Sequence, residues 1–200
     1  MMVRRYIPPF DADGGATFRI RAGSNKDVAF VRELSVEVFD QFGDYGTFLP
    51  TYLNHPSVLT AVGEEQGAPV GFIMLALVSS NRPVPGQPSP GPEQEPPPPD
   101  PAQQEQAEQP QQEWLDAEVL AIAVAPSQQS SGVGSHLLQY AISCASGWKR
   151  SMGVRSVQLN VAHTNLKAIR FFDRMGFVVV NPKDGIYPKG QRSIRMARSI

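Results

Sequence analysis

The 200-residue sequence predicts an α/β fold, a mixed central sheet flanked by helices, with a long disordered insertion before the fourth strand. Three observations lead there. Strand-like and helix-like hydrophobic periods alternate along the chain. A buried strand runs through a glycine turn directly into an amphipathic helix at 119–138. A proline- and glutamine-rich stretch, 81–113, separates two segments, neither of which is large enough to be a comfortable domain alone.

Residues 1–16 read as a flexible tail. A strand follows at 17–22, and Ser24 or Asn25 caps a helix over 27–42, where Val28, Val31, Leu34, Val38 and Phe42 recur at helical spacing. Gly43 and Gly46 stop it. A short second helix is expected at 47–54 between Pro50 and Pro56, then strands at 58–64 and 68–78 around a Gln66–Gly67 turn. The second segment opens with a strand at 114–124, ended by Pro126, and continues with a helix over 132–150, a strand at 156–162 and a helix at 166–175 closed by Gly176. Residues 177–181 and 192–197 alternate like a closing hairpin. Residues 81–113 hold eleven of the nineteen prolines, six acidic residues, one basic residue and only Val84, Ala102 and Ala107 as apolar side chains. Such a segment cannot offset about 1–2 kcal/mol per residue of backbone ordering entropy. It is expected to be a solvated insert inside one domain spanning 17–200, or else a ligand for a proline-binding module.

Composition narrows the function classes. Net charge is −1 with 18% charged residues, so no basic field points to nucleic acid or anionic membrane. The single cysteine, Cys144, excludes an internal disulfide and a cysteine-rich metal site, and its setting in a predicted helix reads as core. No apolar run has the length of a membrane span, and the start carries prolines and Asp11 in place of a leader's apolar stretch. A cytoplasmic protein without a metal is the expectation.

The chemistry concentrates at Gln129-Ser130-Ser131-Gly132-Val133-Gly134, followed by Ser135 and a helix. Unpartnered N–H groups and the positive end of a helix dipole favour an anion there, and glycine removes the Cβ that would block its approach. A nucleotide P-loop would need a Gly-Lys-Ser/Thr ending, and a dinucleotide fingerprint would need a third glycine at 137; neither is present. The pattern Gln/Arg-x-x-Gly-x-Gly/Ala is met at 129, 132 and 134. Taken alone, the hexapeptide is also compatible with a plain strand-to-helix turn.

With a second segment, Asn165-Leu166-Lys167-Ala168-Ile169-Arg170-Phe171-Phe172-Asp173-Arg174-Met175-Gly176-Phe177, the chain resembles the GNAT superfamily of N-acetyltransferases over about 17–80 and 114–200. The first motif resembles the superfamily's acetyl-CoA signature, and the second its Asn, Ala, aromatic pair and Gly-Phe. The resemblance implies a GNAT-like fold with acetyl-CoA as acyl donor. The backbone of Ile122, Ala123 and Val124 would hold pantetheine in a gap between splayed strands. N–H groups from Gln129 to Ser135 would hold the pyrophosphate, Asn165 would bond the cofactor arm, and Phe172 would lie near the thioester sulfur.

Acyl transfer needs a neutral amine, a donor for the developing oxyanion, for which a backbone N–H of 122–124 is expected, and a proton for the leaving thiolate. Glu118 resembles the strand carboxylate that some GNAT members use through a water; its bland reading is an exposed glutamate beside Asp116. Asn160 stands where relatives carry a base and cannot act as one, and His163 reads as a loop histidine. Many GNAT enzymes have Tyr where this chain has Phe172, so either another tyrosine such as Tyr187 supplies the proton or the thiolate leaves unassisted. The acceptor site is expected between 39–55 and the closing hairpin, with Tyr45, Phe48 and Tyr52 on one helical face and Asp40 and Asp44 able to attract a cation. The acceptor would be a protein or small-molecule primary amine, with a homodimer left open. The rival readings are a non-catalytic acyl-CoA-binding domain and an interaction protein working through 81–113.

Overall fold

A computed structural model describes residues 10–11, 18–80 and 114–200. The expectations for the remainder of the 1–16 tail and for the 81–113 insert lie outside the described residues. Eight strands form one sheet in the order β1-β2-β3-β4-β5-β6-β8-β7, antiparallel except for β5 against β6. They are β1 (Phe10–Asp11), β2 (Phe18–Ala22), β3 (Val58–Glu65), β4 (Ala68–Ser80), β5 (Trp114–Val124), β6 (Val154–Ala162), β7 (Val178–Ile186) and β8 (Arg192–Ser199). The two-residue β1 falls within the expected tail, so the fourth predicted strand is β5. Helices α1 (Val28–Phe39) and α2 (Tyr45–Phe48) follow β2, α3 (Val133–Met152) follows β5, and α4 (Leu166–Arg174) follows β6.

Ser80 and Trp114 are cross-strand partners at the ends of β4 and β5. The long connection therefore leaves and re-enters the sheet at adjacent positions. Closing such a loop costs only the logarithm of its length, so the fold accommodates thirty-odd extra residues there without rearranging a strand.

Two apolar layers sandwich the sheet. Leu137, Tyr140, Cys144 and Trp148 of α3 pack on one face; Val31 and Leu34 of α1 pack on the other. Along β5 the sides exchange. Ala117 and Val119 face the α3 layer, whereas Ala121 and Ala123 face the α1 layer. The cause is a β-bulge: β4 pairs Leu75 with Val119 and Met74 with Ala121, leaving Leu120 as the extra residue. At the same height the β5–β6 ladder stops, its last pair being Val119 with Leu159, while β6 continues against β8. Beyond that point β5 and β6 splay apart.

The helix expected at 47–54 is shorter and changes character. Pro50 has no N–H to continue the α ladder, so α2 gives way to a 3-10 turn at Leu49–Tyr52. Helix α1 ends at Phe39, before the expected Phe42, because Phe42 bonds back to the Phe39 carbonyl and tightens the turn. Asp27 caps the preceding turn by accepting from the N–H and hydroxyl of Ser24, at 2.8 and 3.0 Å.

Candidate active site

The splay between β5 and β6 opens into a cleft of about 740 Å³. Its floor is β5 from Val119 to Val124; beyond the Val119–Leu159 pair this strand has no partner on the β6 side, while Ala121 to Val124 keep their β4 partners. Alternate backbone groups of an antiparallel strand point to opposite edges, so this segment presents peptide donors and acceptors to the cleft. Ile122 and Val124 line it, and Ala123, buried, faces the α1 layer.

At one end the cleft meets the start of α3. The first intrahelical bond runs from the His136 N–H to the Gly132 carbonyl at 3.0 Å. The preceding N–H groups, those of Val133, Gly134 and Ser135, project past the helix end. Ser130 and Gly132 both take positive φ, +70° and +97°, which turns the loop into a concave run of amides of the kind that holds phosphate. Glycine at 132 is required by that conformation. At 134 it is not: a Cβ there would meet only Val124 and Phe171 at ordinary contact, 3.6–3.9 Å. Ser131 gives its hydroxyl to the Gln128 carbonyl (2.7 Å), stiffening the loop. Gln129 bonds the Val124 carbonyl through Nε2 (3.3 Å) and accepts from Lys167 Nζ (2.7 Å), tying β5, the loop and α4 together. Lys167, unremarked within the second signature, brings a cation to this rim.

Asn165 lines the same cleft, but its Oδ1 accepts the Ala168 N–H (3.1 Å) as the N-cap of α4, so the amide Nδ2 is what it has left to offer. Phe172 is 5% exposed, packed on Phe171 and Phe177, and contributes one ring face to the cleft wall.

The other end is built from distant segments. Phe39 and Phe42 come from the end of α1 and its following turn, Tyr45 from the start of α2, and Tyr187 from the β7–β8 connection. A clasp holds them together. The Lys189 N–H bonds the Phe42 carbonyl (3.3 Å), Lys189 pairs with Asp40 (3.1 Å), the Gln191 amide bonds the Gln41 carbonyl (2.6 Å), and Phe42 and Tyr187 lie ring to ring at 5.5 Å. Burial pushes the Tyr187 phenol up to about 12; the neighbouring Tyr45 adds to the rise and the Ser193 hydroxyl opposes it. Burial also raises Tyr45. Both are proton donors at neutral pH. Glu37 is the one carboxylate among the described residues lining the cleft.

The three residues of the expected aromatic face part company. Tyr45 enters the cleft, but Phe48 and Tyr52 are 56% and 39% exposed and line none of it. Tyr52 lies in the 3-10 turn at Leu49–Tyr52, whereas Phe48 shares α2 with Tyr45 but turns to solvent. Asp40 is occupied by Lys189, and Asp44 lies outside the cleft. Glu118 is half-buried below the bulge, opposite Ala76 and Gln158, and is not among the lining residues; Asn160 is. His163 sits beside the Arg192 carbonyl (3.2 Å), off the cleft.

Asp116, two residues before Glu118, is 2% exposed. It accepts from Ser156 (2.8 Å) and Gln158 (2.7 Å); Gln158 accepts from Arg195 (2.9 Å), which also pairs with Asp184 (2.7 Å). This chain of bonds crosses β5, β6, β8 and β7 just beneath the splay. Asp116, Gln158 and Arg195 each stand between apolar residues on their strands, and no local motif marks them.

Among the described residues there is no His/Cys/Asp/Glu group that could hold a metal ion, and no helix is long and apolar enough to cross a membrane. No curated protein matches the chain by sequence. Solved structures match its fold. Arabidopsis thaliana NAA60 with a bisubstrate analogue superposes with a TM-score of 0.68 at 16% identity, covering 92% of this chain and 99% of that one. Ard1 from Thermoplasma volcanium gives 0.59 at 23% identity, over 92% and 98%. The ribosomal-protein-S18-alanine N-acetyltransferase of Escherichia coli gives 0.57 at 17%, over 92% and 94%. At these identities the likeness is one of fold. The acetyltransferase (GNAT) family model matches residues 28–177, which takes in α1, the bulged β5, the glycine loop and the second signature, and the chain belongs to that family.

Proposed function

We infer that this chain is an N-acetyltransferase that moves an acetyl group from acetyl-CoA to a primary amine directly, with both substrates bound at once. The single observation that carries the reading is the continuous cleft: a strand edge with free peptide groups leads from the amide cradle at the α3 start to an aromatic chamber clasped by two distant loops. The NAA60 fold has been seen with acetyl-CoA, and the Chaetomium thermophilum Naa20 fold with a bisubstrate analogue, which supports a shared cleft for donor and acceptor. Cys144, the obvious candidate for an acyl-enzyme, is buried in the α3 layer away from the cleft, which favours direct transfer.

Pantetheine would bond Ile122–Val124 along the splay, the pyrophosphate would sit on N–H groups from Ser130 to Ser135, that of Gln129 being given to the Pro126 carbonyl (3.3 Å), and Asn165 would reach the arm through Nδ2. As the amine attacks the thioester carbon, the carbonyl oxygen takes up negative charge and a β5 N–H stabilises it. Collapse breaks the C–S bond. Tyr187, kept protonated by burial, is the proposed donor to the thiolate, since Phe172 has no proton to give. Glu118 is the proposed acceptor of the amine proton, through water from below the bulge. Tyr45 belongs to the proposed acceptor wall, with Phe48 and Tyr52 able to contribute only outside it.

Acetyl-CoA consumption across a panel of peptide N-termini, lysine peptides and small amines tests the reading. Amine-dependent release of CoA is expected. Saturable CoA binding with no turnover on any amine favours the rival reading of an acyl-CoA-binding domain, to which Phe172 and Asn160 both lend support because neither can transfer a proton.

A further inference from the structure

An ordinary strand alternates its side chains between two faces, and the β5 bulge breaks that rule at Leu120 and Ala121. Both belong to the α1 layer, while Val119 before them and Ile122 after them belong to the α3 layer. Leu120 is half-buried and lines the cleft. With Val38, Phe39 and Tyr45 it packs against the buried α1 cluster.

The height of Leu120 in the cleft can be measured from the cradle. A Cβ at Gly134 would stand 3.6 Å from the Val124 side chain, so the α3 start and Val124 adjoin. A pantetheine arm is a chain of roughly a dozen atoms from pyrophosphate to sulfur, about as long as four residues of extended backbone. Going back along β5 from Val124, about 13 Å at the rise of a strand leads to Leu120. The sulfur and the acyl group on it therefore arrive at the bulge. One side is closed to the acyl chain there. Leu159, Val161 and Phe172 wall the cleft on the α3 side and are 2%, 4% and 5% exposed. Towards α1 the cleft stays open. Leu120 is the bulky side chain on that side of the bulge, since Ala121 offers only a methyl group. A third or fourth acyl carbon has to take space that the Leu120 side chain fills.

We propose that Leu120 sets the length of the acyl group: it admits acetyl and excludes four-carbon chains. This rests on the reading of the cleft as an acyl-CoA transferase site. It adds the choice of donor, which the cradle and the splay leave open because they hold parts common to every acyl-CoA.

Amine-dependent CoA release with acetyl-, propionyl- and butyryl-CoA, using the best amine of the panel, tests this. One methylene too many for an apolar pocket lowers kcat/KM by about 10- to 200-fold, so the rate should fall stepwise along the series. Leu120→Ala should bring butyryl-CoA to within about tenfold of acetyl-CoA. Its affinity for free CoA, measured by calorimetry, should stay unchanged. Leu120→Met, nearly equal in volume, should keep the discrimination. Equal kcat/KM for acetyl- and butyryl-CoA in the unmodified chain overturns the proposal. So does a Leu120→Ala variant that binds free CoA normally and still rejects butyryl. Should that variant lose CoA binding, the smaller change Leu120→Val takes its place: a raised propionyl-to-acetyl ratio supports the proposal and an unchanged one overturns it. No release from any donor with any amine defeats the transferase reading itself. Release with a discrimination indifferent to residue 120 defeats only the role of Leu120.

Discussion

The two ends of the cleft are made of different materials. The cofactor end is backbone: peptide groups of β5, the amides at the α3 start, and two positive-φ residues within three positions of one another. The acceptor end is side chains, Phe42, Tyr45 and Tyr187, carried on segments about 140 residues apart and brought together by Lys189 and Gln191. A backbone site is written in a short run of sequence, because glycine and capping positions dictate its geometry locally. A side-chain site depends on where each carrier turns, and a small change in one turn removes a residue from it.

That contrast predicts an order of effects. The largest falls on the cofactor end. Gly132→Val places a branched side chain at φ +97° beside the proposed pyrophosphate, and CoA affinity measured by calorimetry should drop about 100-fold or more. Retained affinity would mean the cradle is elsewhere. Next, Tyr187→Phe should lower kcat about 100-fold or more with little change in the acetyl-CoA KM, the usual scale for losing an acid catalyst. The pH profile gives the same residue a second test. A donor works in its protonated form, and a phenol raised from 10.0 to about 12 stays protonated through pH 10. kcat should therefore show no descending limb until about pH 11, and a limb that Tyr187→Phe leaves in place would remove Tyr187 from the role. Glu118→Gln should slow turnover about tenfold without weakening cofactor binding if it receives the amine proton. An unchanged rate would leave the amine to arrive already neutral.

Smaller effects sharpen the contrast within each end. Gly132→Ala should cost about 1–2 kcal/mol of stability by chemical denaturation, the price of a Cβ in the left-handed region. Gly134→Ala, with room for its Cβ, should cost nothing and still raise the cofactor KM if the pyrophosphate passes there. Lys189→Ala opens one exposed strut of the clasp. It should shift the acceptor KM a few-fold and stability by less than about 0.5 kcal/mol, leaving CoA affinity alone.

The same contrast explains what could be read from the sequence. The order of strands and helices, the glycine loop and the second signature were legible because each is a local pattern with a local physical cause. The bulge at Leu120 was not: its sign is a switch in which side of β5 is apolar, and a run such as Val119, Leu120, Ala121, Ile122 is apolar on both. Spacing of three and four implies one face only on an unbroken α-helix, and Tyr52 lies in the 3-10 turn at Leu49–Tyr52; Phe48 shares α2 with Tyr45 and is exposed all the same. Asp116, Gln158 and Arg195 were not legible either, since polar residues alternating along strands carry no local sign of hydrogen bonds across four strands.

The central claim is that one cleft holds an acyl-CoA at the amide cradle and delivers its acetyl group to an amine at the aromatic end. Continuous measurement of CoA release from acetyl-CoA, with and without a saturating amine, tests it most directly. Amine-dependent release that Gly132→Val abolishes and Tyr187→Phe slows is the predicted result. Release that ignores the amine, or that survives Gly132→Val unchanged, would contradict it.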